Sequence, residues 1–148
     1  MAVAGECREG GIGVDVVATG DGTGWVVAEV AALVADGAVR RAGTAEAGPA
    51  AAVRRDREAA GVTVTRVAFA ALKLATAGFF DAVVDEGVVH RDRPELSSAV
   101  SWAEKRKAGD ALLIDRRGDH DMSPLVAVVL AHHAAVSMPA VDVSMSVY

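Results

Sequence analysis

A run of apolar residues at helical spacing constrains the end of this chain more firmly than any other stretch. Leu125, Val128, Val129 and His132 recur on one face of the segment Ser123 to Ala135, so a helix with a buried face is predicted there. Ser-Pro is a common helix start. Ser123 is placed to cap the first free amides, and Pro124 at the first helical position lacks the N–H that would go unpaired. Directly before it stand Gly118-Asp119-His120-Asp121-Met122. Acidic groups are favoured at a helix N-terminus by its partial positive charge. On spacing alone, Asp119 and Asp121 are either an acidic cap on a core helix or part of a site that carboxylates from elsewhere complete.

Composition bounds the rest. The 148 residues suit one domain, and 52% of them are apolar, mostly Ala and Val, with only 4% aromatic. A core of small side chains suits closely packed helices and strands more than a large ligand cavity. No apolar run reaches the roughly eighteen residues of a membrane span, so no membrane partner is expected. No secretory signal is visible, and the lone Cys7 excludes an internal disulfide and fits a reducing cytoplasm. A net charge of −5 argues against a general nucleic-acid coat protein. It leaves room for a nuclease, whose site is acidic and whose rim is basic. The basic residues are grouped: Arg54, Arg55 and Arg57; Arg91 and Arg93; Lys105 to Lys107; Arg116 and Arg117.

Residues 1–10 read as a leader, residues 11–136 as the domain and residues 137–148 as a tail. Gly11 to Val17 is a β-branched strand with Asp15 inside it; a lone Asp among valines is costly unless paired, hydrogen-bonded or metal-bound, and the alternative is an Asp at the frayed end of a short strand. Ala18 to Gly24 is a glycine-rich turn without the Gly-Lys-Ser/Thr ending of a phosphate loop, so no nucleotide or other cofactor site is expected there. Helices are predicted over Trp25 to Ala35 (Thr23 as cap; Val26, Val30, Leu33 and Val34 inward), Ala50 to Ala60, Ala68 to Asp85 and Pro94 to Lys107 (Asp92 or Arg93 as cap). Strands are predicted over Ala38 to Thr44, Val62 to Val67, Val88 to His90 and Ala111 to Ile114. Trp25 and Trp102 read as helix anchors, and the adjacent His132 and His133 as facing different directions.

Strands alternating with helices argue for an α/β fold, a parallel or mixed sheet with helices packed on it. In such sheets, sites gather at the carboxyl ends of strands. Asp15 lies near the end of the first strand, Glu46 in the turn after the second, and Asp119 and Asp121 after a late strand. Carboxylates brought together repel unless a cation neutralises them, and all-oxygen ligands select Mg²⁺ or Mn²⁺. The set matches two-metal phosphodiester cleavage, with Asp15, Glu46 and Asp121 catalytic and Asp15, Glu46, Asp119 and Asp121 as metal ligands.

Ile12-Gly13-Val14-Asp15-Val16, Gly22-Thr23-Gly24-Trp25-Val26-Val27, Ala47-Gly48-Pro49 and Ala60-Gly61-Val62 occur in an order that continues through the second half. There, Phe79 to Val84, His90 through Leu96, Gly109-Asp110-Ala111, Asp115-Arg116-Arg117 and Asp121 to Ala127 follow. In these pieces the chain resembles the C-terminal nuclease domain of phage terminase large subunits, of the type found in actinobacterial phages. The resemblance covers most of residues 11–136, and its last piece is the most specific. It implies a ribonuclease H-like fold that cuts concatemeric double-stranded DNA during genome packaging with two Mg²⁺ or Mn²⁺ ions, in the host cytoplasm. It makes Asp15 the first-strand ligand and Asp121 the ligand opening the late helix, with Asp119 as its helper or substitute. Arg91, Arg93, Arg116 and Arg117 are the expected DNA contacts, and other packaging components are candidate partners.

The family runs through two more strands, an antiparallel hairpin, between the Asp15 strand and the Trp25 helix. Here a turn of about nine residues fills that place, so the second and third strands are missing. The second acidic ligand belongs at the position of Ala45, with Glu46 one residue on. The strand before it, apolar in the family, reads Val39-Arg40-Arg41-Ala42, and no ATPase motif is present. Three readings follow: a metal-dependent DNA endonuclease, an inactive remnant of one, or a small α/β interaction module.

Overall fold

Ile12-Gly13-Val14-Asp15-Val16 forms a strand in the computed structural model, which describes residues 1–7, 10–22, 24–37, 42–45, 64–109 and 111–137. In chain order the elements are β1 (Ala2–Glu6), β2 (Ile12–Val16), α1 (Val26–Ala35), β3 (Ala42–Ala45), β4 (Val64–Val67) and α2 (Phe69–Val84). They continue with β5 (Val88–His90), α3 (Pro94–Ser101), β6 (Lys105–Ala108), β7 (Ala111–Ile114) and α4 (Ser123–Val136). The architecture is mixed α/β. Its described strands form three small ladders: β1-β2-β5, the parallel pair β3-β4 and the antiparallel pair β6-β7.

β2 is the middle strand of the first ladder. β1 lies antiparallel to it, from Ala2 opposite Val16 to Glu6 opposite Ile12, and β5 lies parallel, with Val14 opposite His90. Ala2–Glu6, expected to be leader, is therefore a sheet strand. Its small residues carry no helical or strand period to read, and pairing with β2 supplies the order. The turn between the two strands uses Gly10 and Gly11 at positive φ. A side chain at Gly11 would meet the Gly87 carbonyl, whose oxygen accepts the Ile12 N–H at 2.8 Å, so β2 can enter the sheet here only on glycine.

Two other boundaries move. The helix expected over Pro94 to Lys107 stops at Ser101, and Lys105–Ala108 turns back as β6 against β7 through Gly109 at φ +68°. Opposite Leu112 and Leu113, Lys107 and Arg106 complete a ladder that an isolated basic run does not announce. At α4 the cap position falls to Met122. Ser123 is already inside the helix, and its N–H donates to Asp121 Oδ1 at 2.9 Å. Asp121, not Ser123, supplies the capping oxygen. The predicted helix Ala50 to Ala60, the Thr23 cap and the segment beyond Ser137 lie outside the described residues.

The core is organised on α4. Leu125, Val128, Val129 and His132 are all buried, as their spacing predicts, and Val128 is 0% exposed. Each such aliphatic side chain contributes roughly 1.5–3 kcal/mol relative to exposure. α4 packs on β1, β2 and β3 and against α2 and α3, and α2 packs on β7. Val14 and Val16 of β2, Phe79 of α2 and Leu96 of α3 meet it there. The inward faces of the other helices are narrower than their hydropathy suggests: Val30 is buried, whereas Val34 and Val83 are exposed.

Among the described residues no helix is long and apolar enough to cross a membrane. α2 ends in a Schellman motif: the Gly87 N–H donates to Ala82 O at 2.8 Å and the Glu86 N–H to Val83 O at 3.2 Å. Glu86 holds the left-handed position at φ 55°, which disfavours any residue with a Cβ. Glu86→Gly is therefore expected to stabilise the fold by about 1 kcal/mol, read as a raised urea midpoint at unchanged m-value.

His132 packs edge-on to Phe79, ring centroids 5.4 Å apart. Burial, with a smaller contribution from His133, pushes its pKa below the ordinary 6.5. The unfolded chain then takes up the proton more readily than the native one, so stability is full above that range and falls as pH drops through it. The urea midpoint of the native sequence should drop between about pH 7.5 and pH 5.5 by more than that of His132→Leu. Equal drops would place the pH sensitivity elsewhere.

Candidate functional site

Strand alternation decides what Asp15 meets. Val14 and Val16 point into the core at 4% exposure each, so Asp15 between them projects from the opposite face. β2 and β5 are parallel and end at the same edge, which carries Arg91 and Arg93 to the level of Asp15. Arg93 donates from Nε to Oδ1 at 3.0 Å and from Nη2 to Oδ2 at 3.3 Å, a fork on both carboxylate oxygens. Arg91 Nη1 stands 3.7 Å from Oδ2. The Asp15 side chain is 17% exposed, against 44% for Arg93. The Arg93 hydrogen bond, opposed by desolvation and aided by the charges of Arg93 and Arg91 and the Val16 N–H, holds the Asp15 carboxyl below its ordinary value.

Asp121 is exposed and spends both oxygens on its own helix. Oδ1 accepts the Ser123 N–H and Oδ2 the Ser123 hydroxyl at 3.0 Å. Asp119 is exposed in the loop before it. Glu46 lies outside the described residues. Among those residues no three His, Cys, Asp or Glu side chains gather as a set that could hold a metal ion. In the described residues Asp15 and Asp121 accept their hydrogen bonds from the chain, from Arg93 and from Ser123, and belong to no shared cluster of ligands.

The expected DNA contacts divide in the same way. Arg91 and Arg93 face Asp15. Arg117 forks onto Asp115, with Nη2 to Oδ2 at 2.9 Å, and its hydrogen bonds hold the Asp115 carboxyl down at about 2. Asp115 is not among the residues expected at a site, and the spacing Asp-Arg-Arg is the signal of its pairing with Arg117. Arg116 remains exposed and, with Arg106, borders an apolar cavity of about 100 Å³ between β3, β4, α2, β7 and α4. That cavity includes neither Asp15 nor Asp121.

Sequence reasoning also misses an aromatic pair. Trp102, expected to anchor a helix, ends α3 at 58% exposure and stacks on His120, centroids 4.1 Å apart and planes within 11°. Trp25, expected to anchor a helix, stands directly before α1, its indole N–H donating to Gly22 O at 3.2 Å.

Set against family models, curated proteins and solved structures, the chain matches none of them.

The Asp15–Arg93 fork makes a measurable claim. Asp15→Asn and Arg93→Gln should each destabilise the fold, and a double-mutant cycle should show that the two losses do not add. Because the Asp15 pKa is lowered, its contribution is present at neutral pH and disappears as pH falls through about 3.8 and below. Additive losses would mean that the two side chains act separately.

Proposed function

We propose that the chain is a ribonuclease H-like domain of the terminase-nuclease kind, associated with double-stranded DNA, in which Arg93 rather than a divalent ion neutralises Asp15, so that the domain does not cut. Three placements support the family part of this reading. Asp15 sits near the carboxyl end of the middle strand of a ladder. β1 lies antiparallel beside it, where the family's hairpin would otherwise pair, and β5 lies parallel on the other side. The helix opened by Asp121 packs on that same strand. The observation that carries the second part is the Arg93 fork, which sets a positive charge on both oxygens of Asp15, where an ion would have to displace it.

A second reading is favoured by one feature, the exposure of Arg93. A guanidinium at 44% exposure can swing away from its partner at modest cost. The domain would then be an endonuclease cutting concatemeric DNA during packaging, with Mg²⁺ or Mn²⁺ held by Asp15, Asp121 and Glu46, Asp119 assisting, and a separate packaging ATPase as its partner.

One experiment separates the two. Supercoiled plasmid incubated with the protein and Mn²⁺ is expected to stay intact, and Mn²⁺ is expected to leave the melting temperature unchanged. Nicking that Asp121→Asn abolishes, together with a Mn²⁺-dependent rise in melting temperature, would establish the second reading, since an ion that binds only the folded state must raise it.

A further inference from the structure

We propose that the Trp102–His120 stack, with Lys105 and Lys107 on the strand that follows Trp102 and Arg116 in the loop that leads to His120, is a contact site for single-stranded nucleic acid. It takes up the nucleic-acid half of the reading above and is independent of cleavage. An indole more than half exposed at the end of a helix buries little apolar surface for the fold, yet its ring lies stacked on His120. Such an open aromatic face suits a nucleobase, whose stacking on an aromatic side chain is tolerant of sequence. In a duplex the base faces are covered by their neighbours, so the partner that can use this ring is unpaired.

The backbone brings cations to the ring. The Asp115 N–H donates to Glu104 O at 2.8 Å, extending the β6-β7 ladder by one bond, and the loop then runs through Arg116 and Arg117 to His120 on Trp102. Arg116 is thereby carried past the start of β6, near the chain that leads from Trp102 into Lys105. Lys105 and Lys107 alternate onto one face of β6, roughly 7 Å apart. Both are exposed, and among the described residues neither they nor Arg116 forms an ion pair. Lys105 rests its ammonium 4.7 Å over the Phe80 ring, which fixes the charge without neutralising it. Arg117 is neutralised by Asp115, and Glu104 and Asp119 are the exposed acids nearby. Cations without an ion-pair partner among the described residues make this corner a place for phosphates on a chain whose net charge is −5.

The chain has two tryptophans, so Trp25→Phe leaves Trp102 as the only indole reporter. Titrating that protein with an oligothymidylate of about ten nucleotides is expected to quench its fluorescence. Trp102→Ala should weaken binding by about five- to a hundred-fold, measured by anisotropy of a labelled oligonucleotide, and Trp102→Phe should recover most of it. His120→Ala, which leaves the indole in place but unstacked, should weaken binding by less. Replacing Lys105, Lys107 and Arg116 together by Ala should flatten the dependence of log affinity on log salt by about 0.7 for each phosphate that is no longer neutralised. Melting temperatures of all variants control for folding. Absence of binding, binding without quenching, or equal affinity in Trp102→Ala of unchanged melting temperature would each overturn the site. None of these outcomes depends on whether plasmid is cut, so this site and the nuclease reading stand or fall separately.

Discussion

The burial of α4 is the contact on which the other elements depend. Among the described residues the three ladders are joined to one another by no strand pairing; side-chain packing holds them in one fold. α4 touches β1, β2 and β3 together with α2 and α3, and the residues it presents to them, Leu125, Val128 and Val129, have almost no exposed surface. Small side chains make this possible. With Ala75 and Ala99 facing it from the neighbouring helices, a central helix can approach on several sides at once. Such a core is closely filled but short of area, which is why edges such as the Schellman turn at Glu86 and the Gly11–Gly87 contact carry so much of the definition of the chain's path.

What can be read from the sequence follows from the same fact. The α4 face is legible because a buried helix writes its period into four side chains, and all four are buried. β2, β5, β7 and α1 are legible for similar reasons, each being an apolar run closed by turn residues. β1 is not, because Ala2-Val3-Ala4-Gly5-Glu6 carries no period and becomes a strand only through its partner. β6 misleads for the opposite reason: Glu104-Lys105-Arg106-Lys107 are good helix formers, and the partner strand whose pairing overrides that preference lies beyond the turn. Trp102 reads as an anchor on residue type alone, and only the early end of α3 puts it at the surface.

The candidate site is legible in its residues and not in its partners. Asp15 among valines stands out as needing a counterpart, with pairing, hydrogen bonding and metal binding all open. Alternation along β2 places it off the core face, and the parallel register of β5 brings Arg93 to it, a contact spanning 78 positions that no local pattern encodes. Asp121, by contrast, finds its donors two residues away, in the helix start that makes it conspicuous. One acid is held by topology and the other by local geometry.

That difference bears on what a cation could do here. Asp15 is mostly withdrawn from water, and Arg93 is not. Removing Arg93 would leave a mostly buried carboxylate with only Arg91, 3.7 Å away, and the Val16 N–H to offset its charge, whereas removing Asp15 would free a side chain that water already reaches. The need for the pair therefore lies with Asp15 and with the strand that carries it. A guanidinium delivered by the chain is present at every concentration of salt or metal, whereas an ion from solution gains a place only by offering Asp15 more than Arg93 does. One carboxylate cannot make that offer good, because a hard divalent ion exchanges its water for several oxygens at once. For metal to replace the fork at Asp15, further carboxylates would have to share the ion, and among the described residues no such set gathers; Asp121 would have to join it while its oxygens hold the start of α4, the helix around which the core is packed.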